Sequence, residues 1–295
     1  MKKITGLFIV SMLLWSSHVI FAEETRRENF RRQRMEPMSG QQAPWGEPGS
    51  TLEMAKRMDS KGYQFTVSKN AEIQLTEDQR SFTVWWQPEG FDSKKDTVLV
   101  SLGGHQGWAT RDFQVWTPKI KNRHYAILSV QWWYGRNPES EGYAKPNDIY
   151  RWIDQTLKKH GVEPGHVIFQ GYGMGSANSY AVTYFDVMNP KPYFAVTIAN
   201  AGPYESDFPP NRLFLEKKEQ KPFSGTHWIY YCSELDEEQK NCCTRMRAGA
   251  DVIESLGGKT ESFMRDPGHS HGGFMHSDYV TQALDLAEKH ISEKM

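Results

Sequence analysis

The sequence contains few cysteines and no surplus of charge of either sign. Three Cys are too few for a disulfide-built scaffold, and their spacing does not match a four-ligand zinc site. Lys and Arg number 35 against 36 Asp and Glu, a net charge of −1, which argues against a general nucleic-acid binder because neutralising phosphates requires a basic excess. With 38% hydrophobic and 24% charged residues, a folded soluble domain is expected.

Beyond the N-terminal segment, the sequence has no apolar run that resembles a transmembrane helix. Lys2 and Lys3 precede a mostly apolar stretch over residues 4–21, which ends at the small Ala22 before two acidic residues. This pattern predicts a secretory signal peptide over residues 1–22, and therefore export to the periplasm or the outside of the cell with no membrane span after cleavage. An uncleaved anchor is the weaker alternative, because the stretch is short for a span and polar residues interrupt it.

The cysteines are consistent with export but do not require it. In an oxidising compartment disulfides persist, and Cys232 has two candidate partners, Cys242 and Cys243. Adjacent cysteines rarely pair with each other, so one thiol would remain free. Three buried, reduced thiols are the alternative.

Residues 23–60 are polar and lack a regular apolar pattern. An Arg-rich beginning is followed by a stretch rich in Gly, Pro and Gln, a composition that cannot bury much apolar area. We expect a flexible, solvated tail. Contact of its basic beginning with an anionic surface is the less favoured interpretation.

Residues 61–295 alternate short apolar runs with helix-length segments. Residues 63–67 and 82–86 alternate apolar and polar positions, which predicts two antiparallel strands. Continuous apolar runs are typical of parallel strands that helices cover on both faces. The pattern predicts a single α/β domain with a mostly parallel sheet and antiparallel N-terminal strands. The continuous runs lie at residues 97–102, 125–130, 166–170, 194–198, 228–231 and 260–264.

A glycine-rich turn follows the run at residues 166–170. Gly171, Gly173 and Gly175 stand between this predicted strand and a predicted helix. The segment resembles the α/β-hydrolase superfamily, particularly secreted esterases, whose turn reads G-x-S-x-G and presents the nucleophile above the sheet. Gly171 and Gly175 match the small flanking residues of that turn. Gly173 occupies the nucleophile position, and glycine has no side chain to form an acyl-enzyme.

A segment earlier in the chain resembles the oxyanion-hole segment of the same family. Gly103, Gly104 and His105 follow a predicted strand, as that segment does. The resemblance implies that backbone N–H groups near Gly104 and Met174 would stabilise developing negative charge. His105 is either a substrate contact or a loop residue.

Two later segments resemble the acid and histidine of that family, in the family's order. Asp236 follows the run at residues 228–231 and is the candidate acid, with Glu234 as the second choice. His271 is the candidate general base, because the Pro-Gly-x-x-His-Gly spacing favours it over His269. The resemblance implies that Asp236 would orient the imidazole of His271.

Other interpretations of these residues remain open. The glycine turn also suits close strand–helix packing, and Ser176 is a substitute nucleophile that would sit inside the first helical turn. A dinucleotide site is disfavoured, because position 176 is Ser and no acid ends the next predicted strand. Asp266 with His269 and His271 offers zinc ligands, but not at the helical H-E-x-x-H spacing, so no metal is expected.

Several tryptophans fall near predicted strand ends. Trp108 follows the Gly104 segment, and Trp132 and Trp133 follow the run at residues 125–130. These rings are candidates for an apolar or sugar-stacking platform beside the cleft. Ordinary packing is the alternative.

The functional expectation is an exported hydrolase-fold protein, descended from serine esterases, that acts as a non-catalytic binder. A small-molecule ester or a carbohydrate-like compound is the expected ligand, and no cofactor is expected. The rival is a working ester hydrolase in which His271 and Asp236 activate a water, or in which Ser176 attacks. A third hypothesis is an interaction protein that uses the Arg-rich tail. The sequence carries no signal for oligomeric state.

Overall fold

The computed structural model describes residues 49–136 and 142–294. The predicted signal peptide and residues 23–48 of the predicted tail lie outside this part of the chain. Within it, no helix is both long enough and apolar enough to cross a bilayer.

The described residues form an eight-stranded sheet in the order β1-β2-β4-β3-β5-β6-β7-β8. Strand β2 pairs antiparallel with β1 and β4, and all other neighbours are parallel. The predicted mostly parallel sheet with antiparallel N-terminal strands is therefore confirmed. The strands are β1 Glu72–Leu75, β2 Phe82–Trp86, β3 Val98–Leu102, β4 Ala126–Val130, β5 Val167–Tyr172, β6 Phe194–Asn200, β7 His227–Ser233 and β8 Lys259–Asp266.

Helices cover both faces of the sheet. Leu99 of β3 packs in one apolar cluster with Phe113 and Ala283, whereas Val100 packs in a second cluster with Trp152. Successive strand residues point to opposite faces, so a central strand that is covered on both faces is mostly apolar. The helices are α1 Ser50–Met58, α2 Ser60–Ser68, α3 Ala109–Trp116, α4 Pro146–Lys159, α5 Met174–Val187, α6 Pro209–Leu215, α7 Cys242–Ser255 and α8 Tyr279–Lys294, with 3₁₀ turns at Lys218–Gln220 and Gly273–His276.

The strand predicted over residues 63–67 is wrong, because these residues belong to helix α2. Phe65 packs against Phe113 of α3 with ring centroids 5.8 Å apart, and Thr66 is buried. Val67, which a strand would place on the same face as Phe65, is 51% exposed. Packing on α3 overrides the local alternation, and the partner of β2 is instead β1.

Residues 50–58, which the sequence assigns to the tail, form helix α1. Met54 and Ala55 of this helix are buried. The folded part of the chain therefore begins before the predicted boundary at residue 61.

A disulfide joins Cys232 to Cys243, one of the two pairings that the sequence left open. It connects the end of β7 to the first turn of α7, and Cys242 remains a buried thiol. The segment between the two half-cystines carries Asp236, so the bond restrains the loop that holds the candidate acid.

Candidate active site

Close backbone approach at the β5–α5 turn explains its flanking glycines. A Cβ atom on Gly171 would lie 2.4 Å from the carbonyl oxygen of Gly175. A Cβ atom on Gly175 would lie 2.3 Å from the carbonyl oxygen of Leu102. Backbone atoms cannot move away as a side chain can, so the turn that connects β5 to α5 requires glycine at both flanks.

Gly173 lies at the apex of this turn, immediately before helix α5. Its φ of 52° and ψ of −118° are a conformation in which a side chain is strained. A Cβ atom built on Gly173 would lie 3.2 Å from Nε2 of His271 and 3.9 Å from Cα of Gly104. The vacant side-chain position at residue 173 therefore faces both the histidine and the loop after β3.

His271 and Asp236 form a buried pair beside this apex. Nδ1 of His271 lies 2.7 Å from Oδ2 of Asp236, and the two residues are 8% and 9% exposed. The other carboxylate oxygen of Asp236 accepts hydrogen bonds from the backbone N–H groups of Glu238 and Gln239, at 3.0 and 2.7 Å. These donors orient the carboxylate, which in turn turns Nε2 of the imidazole toward Gly173.

The second-choice residues make other contacts. Nδ1 of His269 lies 2.9 Å from Oδ2 of Asp266, on its own loop. Glu234 forms an ion pair with Arg265 at 2.5 Å. The sequence offers Asp266, His269 and His271 as zinc ligands. His271 pairs with Asp236 instead, and among the described residues these three side chains do not form a metal-binding cluster.

Two backbone segments lie beside the vacant position, since Cα of Gly104 is 3.9 Å from a Cβ built on Gly173 and Met174 follows Gly173 directly. Gly103 and Gly104 follow β3, and Met174 is the first residue of α5. The first N–H groups of a helix have no acceptor within the helix, and the helix dipole adds partial positive charge there. The turn therefore places the imidazole of His271 beside the N-terminus of a helix, where backbone N–H groups favour negative charge.

Comparison with known proteins shows a shared architecture. No family model and no curated protein matches the chain. A solved fungal esterase from Rhizomucor miehei is 11% identical, with a TM-score of 0.55 over 91% of this chain and 97% of that one. The apo form of Thermogutta terrifontis esterase 2 is 17% identical, with a TM-score of 0.53 over 76% and 94%. A bifunctional GH43-CE protein of Bacteroides eggerthii is 14% identical at a TM-score of 0.51; 71% of this chain matches about a third, 33%, of that longer one.

The chain has the α/β-hydrolase fold. In this fold the strand–turn–helix at the nucleophile is the nucleophile elbow, and the acid and histidine follow later strands. The β5–α5 turn, the loop after β7 and the loop after β8 occupy these places here. At such low identity the neighbours establish the fold alone.

Ser176 lies within the elbow helix rather than at the apex. It is fully buried, and its hydroxyl donates a hydrogen bond of 2.8 Å to the carbonyl oxygen of Gly202. This contact ties α5 to the segment after β6 and directs the hydroxyl away from the cleft.

Of the three rings in the predicted tryptophan platform, two are buried and Trp108 is half-buried. Trp132 and Trp133 are 2% and 5% exposed, and Nε1 of Trp132 donates to the carbonyl oxygen of Gly103 at 2.9 Å. Trp108 packs on Trp133 with ring centroids 5.0 Å apart. These rings stabilise the loop after β3, because a buried tryptophan both packs against the backbone and donates one hydrogen bond to it.

Three residues near the cleft escaped prediction from the sequence. The hydroxyl of Tyr143 lies 2.6 Å from Nδ1 of His105, which is also 2.9 Å from Sδ of Met174. Burial raises the pKa of Tyr143 to about 12, so its hydroxyl is protonated at neutral pH. The ring centroid of Tyr172 lies 5.0 Å from that of His271. The position of Tyr172 directly before Gly173 is the feature of the sequence that could have identified it.

Asp112, the third, lies behind the loop after β3. Its Cγ would be 3.8 Å from a Cβ atom on Gly103, and burial raises its pKa to about 6 despite a hydrogen bond with Ser101. Oδ2 of Asp112 has no hydrogen-bond partner among the described residues. A carboxyl group that is neutral more readily than usual therefore lies behind the candidate oxyanion donors.

Proposed function

We propose that this protein is an exported binding protein of esterase descent, which holds a small-molecule ester or carbohydrate-like ligand without covalent catalysis. The observation that carries the proposal is Gly173 at the apex of the elbow, facing Nε2 of His271 at 3.2 Å from a built Cβ. Acyl transfer by the covalent route needs a nucleophilic atom at this point. Export is supported by the signal-like pattern of residues 1–22.

The surrounding groups support esterase descent. The His271–Asp236 pair, the glycine loop after β3 and the N-terminus of α5 all lie next to Gly173, an arrangement that resembles an ester hydrolase without its nucleophile. The solved neighbours in the comparison include proteins named as esterases. A cleft that keeps these donors suits a carbonyl or carboxylate group of a ligand, since they were arranged for developing negative charge.

The decisive experiment restores the missing hydroxyl. Gly173→Ser, Gly173→Ala and Gly173→Ser/His271→Ala are compared with the natural mature chain for p-nitrophenyl acetate hydrolysis. We expect turnover from Gly173→Ser alone, because only this variant has both a nucleophile and a base. Gly173→Ala is the matched control, since both substitutions carry the backbone strain of about 1–3 kcal/mol but only one adds a hydroxyl.

Binding without consumption is measured on the natural chain. Equilibrium dialysis with p-nitrophenyl butyrate should show saturable binding, with the ester recovered intact. Absence of binding to this and to a panel of esters and oligosaccharides contradicts a role as a binder of these ligands.

A working hydrolase is the second candidate, and the intact His271–Asp236 pair favours it. These residues could direct a water into the space beside Gly173, and enzymes that lose one triad member retain some catalysis. Turnover by the natural chain that His271→Ala abolishes would establish this route and refute the non-catalytic proposal. Loss of that turnover in Ser176→Ala, with His271 intact, would instead implicate the buried serine.

A further inference from the structure

A second histidine–carboxylate cluster lies at the amino ends of β7 and β8, away from the elbow. His227 begins β7, Glu261 lies in β8, and His290 lies in α8. Strand β7 separates His227 from Ser233, at its carboxyl end, by about 20 Å at the usual rise per residue. The cluster is therefore remote from the candidate active site.

The three side chains converge closely. Nδ1 of His227 lies 2.6 Å from Oε1 of Glu261, and the rings of His227 and His290 have centroids 3.7 Å apart. One ligand atom from each residue lies within 4.8 Å of the other two. In a tetrahedral zinc site with bonds of about 2.0–2.2 Å, ligand atoms are separated by about 3.3–3.6 Å. Small side-chain rotations bring these atoms to that spacing.

We propose that His227, Glu261 and His290 bind Zn²⁺. Two imidazole nitrogens and one carboxylate oxygen are a donor set that zinc takes with a water as its fourth ligand. The side chains of His227 and Glu261 are 15% and 22% exposed, so an ion can enter and retain a water. No other group of His, Cys, Asp and Glu in residues 49–136 and 142–294 meets the same distance condition.

The ammonium group of Lys259 would compete with the metal ion for the carboxylate of Glu261. Its ammonium group lies 2.9 Å from Oε1 of Glu261, and its side chain is 67% exposed. An exposed lysine on a flexible stem leaves such a contact at little cost, since surface ion pairs contribute little to stability. Zinc would therefore replace the ammonium group at the carboxylate.

The ion would link helix α8 to the edge of the sheet. Glu261 and His227 lie on neighbouring strands, whereas His290 lies near the end of the last helix. A ligand that binds the folded state alone stabilises it by mass action. At a zinc concentration tenfold above Kd we expect the Tm to rise by about 3–5 °C.

The test is calorimetric titration of the untagged natural chain with ZnCl2, with MgCl2 as the control ion. We expect one zinc per chain and no heat from magnesium, which prefers an oxygen cage. His290→Gln and Glu261→Gln should each weaken zinc binding at least about tenfold, because each removes one of three ligands. Lys259→Ala should strengthen it several-fold.

His269→Gln is the matched control, since it removes a histidine beside a carboxylate on the cleft side. Retained binding in this variant, with loss in His290→Gln and Glu261→Gln, supports the proposal. Loss of binding in His269→Gln overturns the proposal and places zinc at the loop after β8, and retained binding in both ligand variants overturns it as well. Absence of heat and of any Tm shift in the natural chain at millimolar zinc also overturns it. Circular dichroism of the metal-free variants distinguishes loss of a ligand from loss of the fold.

Discussion

The loop after β8 carries two histidines that each pair with an aspartate. The two pairs differ in sequence separation, in exposure and in what the histidine faces. His271 pairs with Asp236 across 35 residues of sequence, whereas His269 pairs with Asp266 across three. The side chain of His271 is 10% exposed and that of His269 is 43% exposed. Nε2 of His271 faces the vacant position at Gly173.

A histidine and a carboxylate in contact do not by themselves define a base. The His269 pair forms within one loop and needs no other strand. The His271 pair exists because β7 and β8 are neighbours, so the loops that follow them meet above the sheet. Only this pair also meets the β5–α5 turn, which is where a proton would be transferred.

The largest expected effect separates the two histidines in the Gly173→Ser background. His271→Ala should lower kcat/KM for p-nitrophenyl acetate at least about 100-fold, as loss of a general base does. His269→Ala should change it less than about threefold, because His269 pairs with Asp266 on its own loop, whereas His271 is the histidine next to Gly173. Comparable losses in both variants would remove the distinction between the pairs.

Removing the disulfide between Cys232 and Cys243 tests whether the His271–Asp236 pair depends on the restrained loop after β7. Replacing Cys232 and Cys243 with Ser should lower the free energy of unfolding by about 3 kcal/mol, because the bond closes a short loop in the unfolded chain. Urea denaturation of the natural chain and of the double replacement measures this loss. In the Gly173→Ser background the double replacement should lower activity while the His269–Asp266 pair persists. Unchanged activity would show that the loop positions Asp236 without the bond.

Asp112 differs from Asp236 in that one of its carboxyl oxygens has no hydrogen-bond partner among the described residues. Asp236 accepts two backbone hydrogen bonds, whereas Asp112 has a raised pKa of about 6 because it is buried. The folded state binds its proton more tightly than the unfolded state, so its contribution to stability is present below about pH 4 and is lost as pH rises through about 6.

Asp112→Asn should therefore remove this pH dependence and raise the free energy of unfolding at pH 7.5 by about 2 kcal/mol. Urea denaturation at pH 4.5 and 7.5 provides the measurement, and Asp207→Asn, at an exposed position, is the matched control. An identical pH dependence in the natural chain and in Asp112→Asn would contradict this prediction.

The smallest expected effect concerns Asp266. Burial alone would raise the pKa of Asp266. The pKa nevertheless lies below its ordinary value, because the carboxylate accepts hydrogen bonds from Tyr231, from the N–H of Gly268 and from His269. Its stabilising contribution is present above the unfolded pKa and is lost as pH falls through the folded one. His269→Ala should reduce this loss on acidification by less than about 1 kcal/mol, since the other two donors remain. A larger reduction, measured by denaturation at pH 5 and pH 3, would show that the local pair matters more than its exposure indicates.

Prediction from sequence succeeded where the local pattern and the tertiary environment agree. Residues 97–102 and 166–170 were predicted as buried parallel strands and contain most of β3 and β5, because a strand covered on both faces is apolar at most positions. It failed at residues 63–67, where alternation mimics a strand but Phe65 packs on Phe113 as part of a helix. Tyr143 and Asp112 were missed because neither lies in a recognisable motif.

The local pattern of the sequence is enough to indicate the parallel strands from β3 to β8, the glycine turn at residues 171–175 and the absence of a side chain at Gly173. These are properties of neighbouring residues, which local periodicity and backbone freedom express directly. Only the packed structure shows which cysteine pairs with Cys232 and that Trp132 and Trp133 are buried, and only packing brings His271, which the spacing favoured, to the elbow. Each of these depends on which strands become neighbours in the sheet, and contacts between residues distant in sequence exist only once the whole core has packed.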